Sequence, residues 1–405
     1  MGSKSLPLDG IRVIAVEQYI AGPYCTMLMA DAGAEVIKIE RPGEGDPRRG
    51  MSPMMKDNKG NKVSAGFIEF NRNKKSLTLN IRDDKGKEIL KKLVNNSDIL
   101  VENFRPGVMD KLGVGYEVLK EINPGLVYVA ISGFGQLEEY RGPYWERPAF
   151  DIVAEAMSGY MHMIGHADEP PQQSIYGLAD LTTAIFAYGG VMTGLVSRLR
   201  TGTGRYVDIS MYDAMVALNE RATMIYSFTG EAPHRGPETL YAPRGSFKTS
   251  NGYIVLNIPS DYMWERLTKA IGSENLAKDE RFIDGISRAA NQEKHFRPII
   301  EKWLEDKTKE EAVKIFLAND VPAGEVQTSK DIDQCPHLRE RKSLVEVDHP
   351  VTGIKRLVAS PLKFSEMPRM DTAEIPELGQ HTEEILRSLG YTEGDISFLR
   401  ESQTI

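Results

Sequence analysis

Only two cysteines, Cys25 and Cys335, occur in 405 residues. That excludes a disulfide framework and makes a reducing cytoplasm the expected compartment. Cys25 lies within an apolar helical stretch, where a small buried hydrophobe is its ordinary role. Positive charge is also short: 50 Lys and Arg against 58 Asp and Glu leave a net charge of −8. A nucleic-acid binder draws its affinity from a basic surface, so that class is not expected. No long apolar run is free of a charge or several polar residues, so no membrane span is predicted. The opening "MGSKSLPLDG" lacks the apolar core of a signal peptide.

Several catalytic signatures are missing as well. After the first strand-like run, "IRVIAV" (11–16), comes "EQYIAGPYC", without the G-x-G-x-x-G of a dinucleotide fold. There is no Walker A sequence, no G-x-S-x-G elbow and no H-E-x-x-H. His162 and His166 are four apart, but Gly165 lies between them and no third ligand is near, so no metal site is predicted. Catalysis is left to carboxylates and backbone groups.

What is present is an alternation of short β-rich and helical runs. "IRVIAV", "EVIKIE" (35–40), "LTLNI" (77–81), "DILVEN" (98–103) and "LVYVAISGFG" (126–135) read as strands. Helical runs at 22–34 and 83–96 separate some of them. This order predicts an α/β fold: a doubly wound parallel sheet covered on both faces. Residues 151–230 turn mostly helical, broken by a Gly turn and strand at 201–210. Near 242 the texture changes. "GSFKTSNGYIVLNI" (245–258) predicts a hairpin turning at Asn251-Gly252, and helices follow at 291–307 and 308–320. A smaller α+β domain over 225–330 is therefore expected, between a large domain at 1–224 and a return segment at 331–405. That segment carries two strand-like runs and a helix, "TEEILRSLG".

Two features suggest chemistry. Basic residues, among them Arg41, Arg48, Arg49, Lys74, Lys75, Arg105 and Lys111, fall where strands end. In a doubly wound sheet those ends form the ligand crevice, and cations there suit a small polyanion bearing several phosphates. Phe104 could stack on a base. The other is Asp180 in "YGLADLTTAIFAYGG", directly before a long, nearly uncharged run. On pattern alone it is either the N-cap of a buried helix or a carboxylate placed there for chemistry.

Five stretches in the same order resemble the class III coenzyme A transferases, together with the related α-methylacyl-CoA racemases. They are "PLDGIRVIAVEQYIAGPYCTMLMADAGAEVIKIERPGEGDPRR", "NRNKKSLTLNI", "LVENFRPGVMDKLGVGYEVLKEINPGLVYVAISGFG", "TGTGRYVDISMYDAM" and "LGQHTEEILRSLGY". The resemblance implies a CoA-binding α/β domain built from N- and C-terminal segments, a smaller middle domain, and an interlocked homodimer. It implies that Asp180 is the nucleophile and that CoA is carried as substrate, with no permanently bound cofactor. It places CoA contacts at Ile20, Ala21, Arg41, Asn71, Asn73, Lys74, Asn103, Phe104, Arg105, Lys111, Arg147 and Phe150. An aspartate at a helix start also meets a positive dipole end, which favours its ionised form.

Departures narrow the activity. The racemases carry His–Asp where this chain has Phe150-Asp151, and phenylalanine cannot be the second base that racemisation needs. Formyl-CoA transferases carry glutamine at the position of Ile20 and a glycine run where this chain reads "HRGPETLYAPRGSFKTSNG", so an oxalate/formate enzyme is not expected. The expected reaction is transfer of CoA from an acyl-CoA to a carboxylic acid, with dicarboxylic substrates such as succinyl-CoA, mesaconate, citramalate or malate preferred. Arg244 and the His162/His166 region are candidates to meet the second carboxylate. The alternatives are an intramolecular CoA shift within a dicarboxylyl-CoA, a racemase-like enzyme, or a non-catalytic CoA-binding module.

Overall fold

Val13 and Ala15 face one side of the first strand while Ile14 and Val16 face the other, and all four are buried. A strand apolar on both faces requires cover on both. The computed structural model describes residues 5–236, 241–367 and 372–405. Residues 1–4, and residues 237–240 in the segment compared above with a glycine run, lie outside it.

The large sheet has six strands: β1 (Arg12–Val16), β2 (Glu35–Glu40), β3 (Lys74–Thr78), β4 (Ile99–Glu102), β5 (Val127–Ser132) and β6 (Arg205–Ser210). Their order is β3-β2-β1-β4-β5-β6, and every neighbouring pair is parallel. Helix α1 (Ala21–Asp31) follows β1, α2 (Asp84–Asn95) precedes β4, α3 is Asp151–Met157 and α4 is the long Leu178–Thr201 helix. One face of the sheet is covered by α2 and two C-terminal helices, α5 (Thr382–Ser388) and α6 (Glu393–Glu401), through Ile89, Leu93, Ile385 and Leu399. The other is covered by α1 and α4, through Met29, Ala184, Val191 and Leu195. Each of these side chains larger than alanine contributes about 1.5–3 kcal/mol by leaving water. Helix α4 comes unusually close to the sheet: a Cβ on Gly190 or Gly194 would stand 2.7 Å from Val207 or Val127. By length and composition α4 also passes as a membrane span, but here it packs on the sheet.

The chain divides into two compact units. The large one comprises residues up to Ile164, Pro170–Pro233 and Arg339–Ile405; the other comprises Gly165–Glu169 and His234–Leu338. The helix Glu220–Thr229 thus stays with the large unit, and 331–338 with the small one. The small unit pairs the strands Arg244–Thr249, Gly252–Asn257 and Ala323–Glu325 antiparallel over a core containing Trp264, Phe282, Phe296 and Phe316. The helix expected over 291–307 is interrupted: Gly285–Asn291 passes through a π-turn at Gln292–Phe296 into Arg297–Leu304.

The third strand differs from its sequence expectation. It runs 74–78 rather than 77–81, because Lys74 belongs to the strand and not to a basic loop. Lys74 Nζ is buried and donates to Glu17 Oε1 (2.9 Å), Pro23 O (2.9 Å) and Asn71 Oδ1 (3.0 Å). Burial pushes its ammonium down to about 8. Glu17 is equally enclosed and also accepts from Thr26 (2.7 Å). Breaking such a pair strands a charge, so Lys74→Met is expected to lose about 3 kcal/mol or more of folding stability. Denaturant unfolding measures it. A raised KM for acyl-CoA with unchanged stability would instead make Lys74 a ligand contact.

Candidate active site

The chain leaves β1 toward β2 on one side, while β4 lies on the other, so the loops after β1 and β4 diverge. Ligand crevices of open parallel sheets form at this switch point, beyond the carboxyl ends of the strands. A cavity of about 930 Å³ lies there. Its wall takes Gln18–Ala21 after β1, Arg41 after β2, Leu79–Arg82 after β3, Asn103–Pro106 after β4 and Ser132-Gly133 at the end of β5. Arg147–Ile152, Gln173, Tyr176 and Asp180 close it.

Asp180 sits in the first turn of α4, but it does not cap the helix. Gly177 is the N-cap, with no side-chain bond of its own, and the capping oxygen comes from α3. Asp151 Oδ1 accepts from Ala179 N (2.7 Å) and Asp180 N (3.2 Å). Its Oδ2 accepts from Gly177 N (3.1 Å) and Gln173 Nε2 (3.2 Å). One carboxylate therefore satisfies three amides at the start of α4 from outside the helix, and Asp180 stands on the cavity wall. Burial, then the Asp151 charge, push the Asp180 carboxyl up to about 7; Arg48 acts the other way. Proximity to a helix start does not keep this aspartate acidic, because desolvation and a like charge outweigh the dipole.

The strand-end loops are pinned by buried polar groups. Asn103 accepts from Gln18 N (2.9 Å) and donates to Gln18 O (2.7 Å), tying the β4 loop to the β1 loop. Glu102 accepts from Phe104 N (2.8 Å) and Gln136 Nε2 (3.0 Å); burial outweighs these bonds and pushes its carboxyl up to about 8. Asp46 accepts from Tyr19 N (3.3 Å) and Arg48 N (2.9 Å) and pairs with the buried Lys38 (2.8 Å). Tyr19 adopts a left-handed φ of 66°, a strained conformation for a bulky residue, and stands edge-on to Phe150 at 6.1 Å between ring centroids. Four arginines, Arg41, Arg82, Arg105 and Arg147, line the cavity. Arg41 is exposed and pairs with Glu44, and Arg147 lies 4.7 Å from the Tyr144 ring centroid.

Of the residues singled out in the sequence, Asp180, Ile20, Ala21, Arg41, Asn103, Phe104, Arg105, Arg147 and Phe150 meet on this wall. Asn71, Asn73, Lys74 and Lys111 do not. Asn71 is buried against Lys74, Asn73 binds Asp31 (3.0 Å) and the backbone of Glu374 (3.2 Å), and Lys111 is exposed at the end of a one-turn helix. Arg244 belongs to the small unit, where its N–H donates to Gln292 Oε1 (2.8 Å). Sequence reading missed Leu79–Arg82 and the part played by Asp151. The strand-end rule would have found the former had β3 been placed three residues earlier. For the latter no local signal exists, since Asp151 and the amides it binds are 26–29 residues apart.

The geometry gives Asp151 two separable effects. In Asp151→Asn, loss of acceptors should weaken the α4 start by about 1 kcal/mol or more. Loss of the like charge should move the Asp180 midpoint down from about 7 toward the ordinary carboxylate range. Carboxyl-carbon NMR titration of both proteins checks the second effect; an unmoved midpoint would leave burial as its sole cause.

The chain matches the model of CoA-transferase family III over residues 8–382. It is 39% identical over 391 residues to the succinyl-CoA:mesaconate CoA-transferase of Haloarcula marismortui, covering 96% of this chain and 97% of that one. It is 35% identical over 403 residues to the succinyl-CoA–D-citramalate CoA-transferase of Chloroflexus aurantiacus, covering 98% of each. The crystal structure of a CAIB/BAIF family protein from Brucella suis superimposes with a TM-score of 0.85 at 32% identity, over 95% of this chain and 100% of that one. With its parallel α/β sheet and its match along nearly the whole length, the chain belongs to the family III CoA-transferases.

Proposed function

We propose that Asp180 is the nucleophile of a CoA transfer between dicarboxylic acids. The observation that carries this reading is a carboxylate freed of capping duty by Asp151, on the wall of a strand-end cavity that four arginines also line. Dicarboxylate substrates follow from the two relatives above, whose names pair succinyl-CoA with mesaconate and with D-citramalate. Arg41, Arg82, Arg105 and Arg147 supply charge for the phosphates of CoA, with Phe104 and Phe150 as apolar faces beside them.

The chemistry follows from the carboxylate. Ionised Asp180 attacks the thioester carbonyl of the donor, forming a mixed anhydride and expelling CoA thiolate. The thiolate attacks the aspartyl carbonyl, giving an aspartyl-CoA thioester and releasing the donor acid as its carboxylate. The acceptor carboxylate attacks that thioester, the thiolate leaves again, and its return to the acceptor carbonyl yields the new acyl-CoA and free Asp180. One negative charge is handed on at each step, so no net proton is taken up and no metal or redox step is needed. Helix α1 begins at this wall with Ile20 and Ala21, without a capping side chain or an acidic residue in its first turn. Such a start favours developing negative charge on a carbonyl oxygen or thiolate.

Two observations count against the racemase reading. Phe150 has no basic group, and all four acceptor directions of Asp151 are occupied. The reading extends to a reducing cytoplasm, supported by cysteines that are both free, and to an interlocked homodimer. The support for a dimer is an apolar face on α4 that the large unit leaves open: Ile185, Phe186, Val196 and Leu199, the last 81% exposed.

Incubation with succinyl-CoA followed by borohydride tests the nucleophile. The peptide containing Asp180 should lose mass as its aspartyl thioester is reduced to an alcohol; an unmodified peptide across a panel of acyl-CoAs would sink the assignment. Because only the ionised carboxylate attacks, kcat/KM should rise with pH to a plateau, with a midpoint near the carboxyl's value of about 7. Asp180→Asn should remove both the adduct and that profile. Light scattering at micromolar concentration should give twice the chain mass, and Leu199→Asp should shift it toward the single chain.

A further inference from the structure

Of the four groups that donate to Asp151, three are backbone amides at the start of α4 and the fourth is the side chain of Gln173. Gln173 is exposed and lines the cavity, with Tyr176 and Asp180 from its own stretch of chain and Phe150 and Ile152 from the start of α3. Its backbone is held in place by α3. Asp151 and Glu155 stand one helical turn apart there and so share a face. Glu155 is fully buried, and its Oε1 accepts from Ser174 N (2.8 Å), next to Gln173. Asp151 holds Gly177 N three residues further on (3.1 Å).

The contact with Asp151 also decides which way the amide faces. A carboxylate that already accepts three backbone N–H groups calls for a donor, so Nε2 is the atom 3.2 Å from Asp151 Oδ2. Oε1 is thereby turned away from Asp151, and it accepts no hydrogen bond from any described residue. The side chain that lines the cavity thus carries an open acceptor, and two hydrogen bonds link it to Asp180: Gln173 to Asp151, and Asp180 N to Asp151 Oδ1 (3.2 Å).

This arrangement constrains the group that is carried to Asp180. Asp180 is a carboxylate, Phe150 and Ile152 are apolar, and Gln173 Oε1 can only accept. A saturated carbon set against Oε1 strips water from it and returns no bond, whereas a hydroxyl donates to it. Resting on the proposed reading of Asp180, we propose that Gln173 determines specificity for hydroxylated dicarboxylic acids: Asp151 holds its Nε2, and its Oε1 accepts the substrate hydroxyl.

The test uses the full chain, succinyl-CoA as donor, and two racemic acceptor acids that differ only in that hydroxyl, citramalate and methylsuccinate. For the wild type, kcat/KM should favour citramalate by about fivefold to tenfold, the worth of one net hydrogen bond. In Gln173→Met both acids should slow, because Asp151 loses a donor, and the preference should vanish. Gln173→Lys keeps a donor for Asp151 but offers no acceptor, so the preference should vanish there too, with a smaller loss common to both acids. Equal slowing of the two acids at an unchanged ratio leaves Gln173 a structural duty alone and overturns the inference. A wild type that turns over both acids equally, or neither, sinks only this inference, provided that the borohydride-trapped adduct forms at Asp180. A wild type that forms no adduct with any acyl-CoA sinks the nucleophile assignment and this inference with it.

Discussion

The candidate active site depends on a carboxylate that takes no part in the proposed bond-making. Asp151 accepts hydrogen bonds from three backbone amides at the start of α4 and from Gln173, capping that helix from a neighbouring one. Buried amides need an acceptor, and supplying it from outside leaves the helix's own aspartate without a structural duty. The same arrangement sets two negative groups close together in a partly desolvated wall. Burial and then Asp151 push the Asp180 carboxyl up to about 7, and Arg48 acts the other way. Position and ionisation of this carboxylate, the proposed nucleophile, come from one set of contacts.

A second constraint is the polar layer under the cavity. Glu17, Lys38, Asp46 and Lys74 are all buried, each held by a partner of opposite charge, and Glu17 and Asp46 reach the cavity wall itself. Buried ion pairs seldom add net stability over apolar packing, but breaking one is costly. Their use here is geometric. Asp46 meets the amide of Tyr19, and Asn103 clasps both polar backbone groups of Gln18, so the loop after β1 keeps one conformation even with Tyr19 in a strained region. A strand-end cavity keeps its shape only if the loops that wall it are tied in this way.

Much of the fold was legible because it follows from period and composition. Both-faced apolar strands alternating with helices imply a parallel sheet covered on two sides, and the hairpin follows from turn chemistry, although its two turn residues are Ser250-Asn251, one position before the expected pair, with Gly252 opening the second strand. The strand at Lys74 was misplaced for a physical reason: two lysines in succession read as solvent-facing, and only the enclosed Glu17 makes one of them a strand interior. That shift hid Leu79–Arg82, which wall the cavity because the true strand stops at Thr78. The π-turn at Gln292–Phe296 was equally unreadable, since the helical period of the flanking residues continues across it.

The sequence by itself determined the class of sheet, the strand ends where a polyanion would be met, and the presence of Asp180 at the head of a buried helix. These depend on residue type and on spacing over a few turns, which local pattern carries. Only the tertiary structure decided whether Asp180 caps its helix, which cations line the cavity, and which are consumed in buried pairs. Those outcomes depend on contacts between residues tens of positions apart: Asp151 with Ala179, Lys74 with Glu17, Arg48 with Gly66 and Glu69. A charge's role is set by its burial and by the partner that reaches it, and neither is encoded in its neighbours along the chain.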